Sequence, residues 1–444
     1  MRCAKAPASD APRAARWPGD VAFATPAAVA ATEHVIDDLG APRLPRVWRF
    51  ANRILAPAVH RFPLEVDALL AAAARRARLA DYGRDDFTGA LRALVDAVRT
   101  EADLTPAGHF LTRSLLLGLL LTRLRHRELL RRHPEIAAER VRAPIVILGL
   151  PRTGTTHLHN LLAEHPALRT LPYWESLEPI PDPRTLPVAT PDPRLARCVQ
   201  ALRLQHWVMP LFEAMHAMTP DATHEEIQLL AVEFSTMLFE ASYLVPRYRD
   251  WYLATDQTPA YATLRALLQA LQWLRGPDRW LLKSPQHLEQ LGPLLAVLPD
   301  ARLVQTHRDP VRVVASMCTM AAYGLRMQRA RIDPLAVGRY WADRIATMLR
   351  ASVRDRALVP AGAIMDVRFH DFMADERGTV ERVAAFGGIT LGEAARQAMD
   401  RYVAANPRGR HGRVAYRLTD FGLDAGELRT RLRFYQEAFD VPDE

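Results

Sequence analysis

The stretch 145-IVILGLPRTGTTHLHNLLAEHP-166 decides the fold. Apolar residues run unbroken from Ile145 to Leu148, the chain breaks at Gly149 into Leu150-Pro151-Arg152-Thr153-Gly154-Thr155-Thr156, and apolar residues then return at helical spacing. The first part reads as a central parallel strand buried on both faces, and the second as the turn into a helix. The glycines and the last Thr stand where the phosphate loop G-x-x-x-x-G-K-[ST] needs them, but Thr155 occupies the lysine position that would reach the β/γ-phosphates. A strand, a Gly-rich turn and a helix start aim several N–H groups and the positive end of the helix dipole at one point, which makes an anion site. Gly154 permits the turn, Thr155 and Thr156 add hydroxyls, and Arg152 supplies a planar cation suited to phosphate oxygens.

Composition bounds the partner. The 444 residues are 49% hydrophobic and 24% charged, enough for a large core, and the formal net charge of +8 favours an anionic partner without choosing among nucleotide, nucleic acid and membrane surface. Cys3, Cys198 and Cys318 form no C-x-x-C pair and leave an odd count, so neither a disulfide framework nor a zinc site is indicated, and a reducing cytoplasm is the simplest compartment. Residues 1–31 read as a disordered leader, because Asp20 and Pro26 interrupt any apolar signal region. The longest apolar run, 114-SLLLGLLLT-122, is too short to span a bilayer. With its basic follower RLRHRELLRR it reads as a core helix, and contact with a membrane surface is the alternative.

From residue 32 to 140 the pattern is helical, with turn signals at Asp81-Tyr82-Gly83 and Thr105-Pro106. Residues 141–444 alternate short apolar strands, 280–282, 302–306 and 363–367 after the first, with helical stretches. The expected fold is therefore α/β: a parallel sheet like that of P-loop NTPases, flanked by helices, after an α-helical N-terminal region and with inserted helices at about 194–275. The Pro-rich piece 179–194 reads as a loop.

A second anion constellation lies in 301-ARLVQTHRDPVRVVASMCT-319. Arg308 follows a strand, Asp309 and Pro310 have the chemistry of a helix start, and Ser316 falls eight residues beyond Arg308, about two turns into the helix. His307 and Arg312 read as packing or surface residues. Both later strand ends carry cations, Lys283 and Arg308, where a nucleotide-hydrolysing enzyme places a metal-binding carboxylate. The loop thus reads as built for an anion neutralised by protein cations, with no metal.

PRTGTT after an apolar strand, then LLKSPQHL, then THRDPVRVVAS resembles the sulfotransferases that use 3′-phosphoadenosine 5′-phosphosulfate (PAPS), most closely bacterial members sharing GLPRTGTT, LPYWESLEPIP and KSPQHL. The resemblance runs from about Asp81 to YRLTDFGL near the C-terminal end. It implies that Arg152, Thr153, Gly154, Thr155 and Thr156 bind the 5′-phosphosulfate end of the donor, and that Arg308 and Ser316 bind its 3′-phosphate. It also implies that a basic, Gly-containing loop, 406-NPRGRHGR-413, closes over that phosphate through Arg408, Gly409, Arg410 or His411. The partners implied are PAPS and a small-molecule acceptor, with no nucleic acid.

Sulfonate transfer needs cations to stabilise charge on the moving group and a base to take the acceptor's proton. Arg152 and Lys283 are the expected cations, Lys283 because it ends a strand at the carboxyl edge of the sheet, where ligands sit. For the base, Glu175 in 171-LPYWESLEP-179 comes first and His287 is the alternative, both from their places in other branches of the family. Glu225 and Glu226, after His224, read as acidic residues at a helix N-terminus, with acceptor contact as the alternative. Trp207, Phe212, Tyr248, Trp251 and Tyr252 read as core, or else as walls of an apolar acceptor pocket. The competing functions are a degenerate nucleotide kinase or NTPase and a non-catalytic nucleotide-binding protein.

Overall fold

The computed structural model of the chain describes residues 33–84, 86–276, 279–407 and 409–444, so the leader expected at 1–31 and the donor contact expected of Arg408 lie outside the described residues. Nine strands are present: β1 (Glu33–His34), β2 (Ile145–Leu148), β3 (Leu168–Arg169), β4 (Leu171–Pro172), β5 (Thr223–His224), β6 (Arg279–Lys283), β7 (Arg302–His307), β8 (Ile364–Arg368) and β9 (Arg413–Val414) among the described residues. Five of them form one parallel sheet in the order β3-β6-β2-β7-β8. The four strands expected from their apolar runs are all there.

Parallel strands covered on both faces must be apolar on both, and the alternation in this sheet divides cleanly. Val146, Leu148, Trp280, Leu282 and Leu303 face a large core shared with the helices Pro106–Arg132, Thr258–Arg275, Pro310–Leu325 and Pro334–Asp355. Ile145, Ile147, Leu281 and Val304 face a smaller core against the helices Thr155–Ala163, Glu376–Phe386 and Glu393–Ala405. The helix Pro106–Arg132 is capped by Thr105, whose hydroxyl accepts from Gly108 N at 3.1 Å. It buries Leu116, Leu119, Leu120, Leu121 and Leu124, so the run read as a core helix is one. None of the described helices is long and apolar enough to cross a membrane.

The segment expected to be an insertion lies between β4 and β6 and is mostly helical. It also contains β5, which pairs antiparallel with β4, His224 opposite Leu171. Sequence periodicity gave no sign of a two-residue strand. This pairing lays 223-THEE-226 against the carboxyl edge of the main sheet, because the backbone N of Lys283 donates to Glu226 Oε2 at 2.9 Å. The register sets the rest: Ile147 lies opposite Lys283 and Leu148 opposite Gln305, so Gly149, Lys283 and the Thr306–Arg308 turn emerge side by side.

Candidate active site

The loop after β2 is shaped by backbone demands. Gly154 has φ of +90° and precedes the helix Thr155–Ala163, and a Cβ there would press on the rings of Phe369 and Phe372 at 3.3 Å. At Gly149 a Cβ would collide with Thr306 Oγ1. Arg152 also adopts a left-handed conformation, φ 71°, at a cost of about 1–2 kcal/mol for a residue with a side chain. Strain of that kind is typical of functional turns and persists only where surroundings enforce it. Here the enforcement is visible: Arg308 Nη1 donates to the Arg152 carbonyl at 2.9 Å, and Thr153 Oγ1 donates to Leu150 O at 2.6 Å while lying 2.6 Å from Thr306 Oγ1.

These contacts divide the loop residues by role. The Thr153 hydroxyl faces the sheet and holds the turn, leaving its backbone N–H as the part suited to an anion. Thr155 is buried, whereas Arg152 and Thr156 are exposed. The Arg152 guanidinium donates to Met215 O at 2.9 Å and lies over the Tyr416 ring at 5.8 Å.

Lys283 projects from the end of β6 to this loop. Its Nζ lies 3.3 Å from Thr156 Oγ1 and forms a close ion pair with Glu225. The side chain is 3% exposed, and a lysine so buried needs a partner charge. Burial raises the cost of charge on Glu225, but Lys283 outweighs it and holds the carboxyl below its ordinary value of 4.5. The neighbouring Glu226 is fully buried. Its Oε1 meets His287 Nε2 at 2.6 Å, and His287 Nδ1 meets Tyr261 OH at 2.8 Å. The two adjacent glutamates thus take opposite duties: Glu225 meets the lysine ammonium and Glu226 anchors its backbone.

Rings pack against one another beside that pair. His224 lies tilted against Tyr173, centroids 4.6 Å apart, and 6.5 Å from His216, which in turn stacks on Phe212. Burial pushes His224 down to about 3 and also lowers His216, so both rings are uncharged at neutral pH. Phe212 belongs to this wall. Tyr248 and Tyr252, by contrast, are wholly buried in the larger core.

The residues expected to act as base lie elsewhere. Glu175 is 1% exposed and held between Arg275 at 2.5 Å and Arg169 at 3.4 Å. Arg169 pairs in register with Trp280, three residues before Lys283, so this double ion pair sits toward the other end of β6. His287 is enclosed between Tyr261 and Glu226 and acts on Lys283 only through Glu226. The sequence reading placed Glu225 at a helix N-terminus, with acceptor contact as the alternative, and did not link it to Lys283. A usable signal was the pairing of two acids in THEE with a lysine at a strand end otherwise surrounded by cations.

Arg308 also reaches the loop, and its other donors are occupied. Its guanidinium grips Glu444 with Nε at 2.8 Å and Nη2 at 2.7 Å, and its face lies 4.0 Å from the Phe369 ring centroid. Asp309 caps the following helix, accepting from Val311 N at 2.9 Å, as its place before Pro310 leads one to expect. It also accepts from Glu444 N at 3.0 Å and pairs with Arg429 at 3.3 Å. Ser316 is buried two turns into that helix, and no hydrogen bond links it to Arg308 among the described residues. His307 is a packing residue, between Tyr435 and Asp366. In the C-terminal loop Gly409 has φ of +76°, Arg410 donates to Asn406 Oδ1 at 2.6 Å, and His411 pairs with Glu213 at 3.2 Å. Among the described residues no group of three or more His, Cys, Asp or Glu side chains is placed to hold a metal ion.

Fold and site together define an α/β protein with a central parallel sheet whose loop after β2 is approached by the cations Arg152, Lys283 and Arg308. The chain belongs to the sulfotransferase family: the family model described as "Sulfotransferase family" matches residues 144–393. Two solved structures agree. The sulfotransferase STF1 from Mycobacterium tuberculosis is 32% identical, with a TM-score of 0.72 over 83% of this chain and 98% of that one. The sulfotransferase STF9 from Mycobacterium avium is 27% identical, with a TM-score of 0.75 over 85% and 97%. No curated protein sequence matches the chain.

Proposed function

We propose that this sulfotransferase moves a sulfonate group from PAPS to a hydroxyl, less readily an amine, of a small apolar acceptor by in-line displacement. The observation that carries the reading is Lys283 Nζ, placed between the Thr156 hydroxyl of the phosphate loop and the Glu225 carboxylate. The donor is a dianionic phosphosulfate with a second phosphate on its ribose. The loop N–H groups, Arg152, Thr155 and Thr156 are the groups suited to the first, and Arg308, Ser316 and the 406–413 loop to the second.

In the step itself, Arg152 and Lys283 stabilise charge on the sulfonate and bridging oxygens. Glu225 takes the acceptor's proton as the acceptor oxygen bonds to sulfur. The sulfur–oxygen bond to phosphate breaks, and its electron pair leaves on adenosine 3′,5′-bisphosphate. Glu225 therefore replaces Glu175 and His287 in the reading of the base, because it alone of the three carries a carboxylate or ring nitrogen next to Lys283 Nζ. An apolar acceptor suits the uncharged wall of Tyr173, Phe212, His216 and His224. Cys198 and Cys318 are free and buried, which fits a reducing cytoplasm.

The test is thermal stabilisation by adenosine 3′,5′-bisphosphate against ATP with Mg²⁺, followed by incubation with sulfur-labelled PAPS and a hydroxylated metabolite extract. Stabilisation by the bisphosphate and label on an organic product support the reading. Stabilisation by ATP with Mg²⁺ alone would sink it in favour of a nucleotide kinase.

A further inference from the structure

The helix Arg46–Leu55, sequence RVWRFANRIL, carries an outward face that nothing in the reaction uses. It is fixed from beneath: Trp48 is buried edge-on to Trp207 at 6.4 Å, and Asn52 Oδ1 accepts from Ala107 N at 2.9 Å. That leaves Val47 at 66%, Phe50 at 60% and Ile54 at 58% exposure. At 100° per residue these three form one stripe, and Arg46, Arg49 and Arg53 form a second stripe beside it. All three arginines are exposed. Arg61 and the 44%-exposed Phe62, at the end of the 3-10 turn that follows the helix, are exposed as well. None of the four arginines pairs with a carboxylate among the described residues, and the helix contains no acidic residue.

We propose that this face docks on a bilayer surface carrying anionic headgroups, with Val47, Phe50 and Ile54 in the headgroup boundary and Arg46, Arg49, Arg53 and Arg61 on the lipid phosphates. The composition is that of an interfacial amphipathic helix, apolar on one side and cationic beside it. Charge selects the occupant. A second copy of the chain would bring the same unpaired arginines face to face. Residues 1–32 carry Arg2, Lys5, Arg13 and Arg16 against Asp10 and Asp20, a positive balance that the face repels. A single exposed Phe would need no explanation, but three large apolar residues in register with unpaired cations do. The inference stands independently of sulfonate transfer. It also differs from the membrane alternative considered for RLRHRELLRR, whose helix is packed into the core.

The test is co-sedimentation of the full chain with vesicles of phosphatidylcholine alone and of phosphatidylcholine with an equal amount of phosphatidylglycerol. The expected result is binding to the anionic vesicles only, weakened by salt. The double variant Arg49→Gln/Arg53→Gln should bind roughly 30-fold more weakly, about 1 kcal/mol being contributed by each basic residue. Phe50→Ser/Ile54→Ser should also lose binding, with the unfolding temperature of both variants unchanged because the residues are on the surface. Equal binding to neutral vesicles, no binding by the unaltered chain, or variants that bind as it does would overturn the proposal. So would an oligomer of the unaltered chain that the same substitutions dissociate.

Discussion

Lys283 and Glu225 form a close ion pair beside the phosphate loop, and the ammonium's second contact is the Thr156 hydroxyl at 3.3 Å. An incoming phosphosulfate would compete with Glu225 for the ammonium, freeing the carboxylate to accept a proton as charge develops on the donor. Glu225→Gln is therefore expected to lower kcat by roughly 10²–10⁴-fold while leaving adenosine 3′,5′-bisphosphate binding within a few-fold. Glu175→Gln is expected to lower the unfolding temperature, since it removes the buried carboxylate that pairs with Arg275 and Arg169, with turnover per folded molecule retained. Single-turnover kinetics on both variants, normalised by folded fraction, decide between them. A Glu175→Gln enzyme that folds normally but does not turn over returns the base to Glu175.

The pH profile offers an independent check. Burial resists ionisation of Glu225 and Lys283 overrides it, so the carboxyl ionises below 4.5 in the free protein. A depressed carboxylate contributes its ion pair above the unfolded value, and the contribution is lost as pH falls through the folded one. The acid limb of kcat/KM is expected below 4.5, at lower pH than a histidine base would give. A limb near the ordinary histidine value, abolished in a His287→Asn variant, would point back to His287.

At Arg308 the competing anion is already present in the chain. Glu444 takes two donors of the guanidinium. If Arg308 binds the donor's 3′-phosphate, Glu444→Gln should tighten adenosine 3′,5′-bisphosphate several-fold, and Arg308→Ala should weaken it roughly 10- to 100-fold, the worth of charge-assisted hydrogen bonds. The 5′-monophosphate lacking the 3′ group should not respond to Glu444→Gln, and it should lose less than the bisphosphate with Arg308→Ala, which also removes the support of the Arg152 carbonyl. Calorimetric titration with both nucleotides is the measurement, and equal responses would remove Arg308 from the 3′-phosphate site.

Behind Lys283 the fold relies on a buried charge cluster. Arg344, fully buried, pairs with Glu240 at 2.7 Å and with Glu289 at 2.5 Å, and Tyr340 OH donates to Glu240 at 2.8 Å. Arg344→Met leaves two enclosed carboxylates without a cation and is expected to cost about 3–5 kcal/mol. Denaturant unfolding would show it as a large fall in midpoint, and a near-neutral effect would mean that water reaches the cluster.

What was legible in the sequence was mostly local. The apolar run 145–148 followed by Gly and a helical pattern located the central strand and the phosphate loop, and Lys283 could be placed at a strand end because β6 is short and apolar. Asp309 and Thr105 announced their helices through chemistry contained within three residues. Which acid lies beside Lys283 was not legible for the opposite reason. Glu175 and Glu225 are both acidic residues beside aromatic ones, and only the pairing of β4 with β5 shows which of them the sheet edge receives. That pairing joins segments some fifty residues apart through strands of two residues, too short for any periodicity to appear. Arg308 and Glu444 are farther apart still, 136 residues, and no local pattern links them.

β1 and β9 join through only two residues each, Glu33 opposite Arg413 and His34 opposite Val414, and just beyond them Tyr416 lies against the Arg152 side chain. So few ladder bonds allow local opening at far less than the free energy of global unfolding. The segment that brings Tyr416 to Arg152 is thus attached through a two-residue ladder, and amide exchange at His34, Val414 and Ala415 should report on nucleotide entry before any change reaches the central strands.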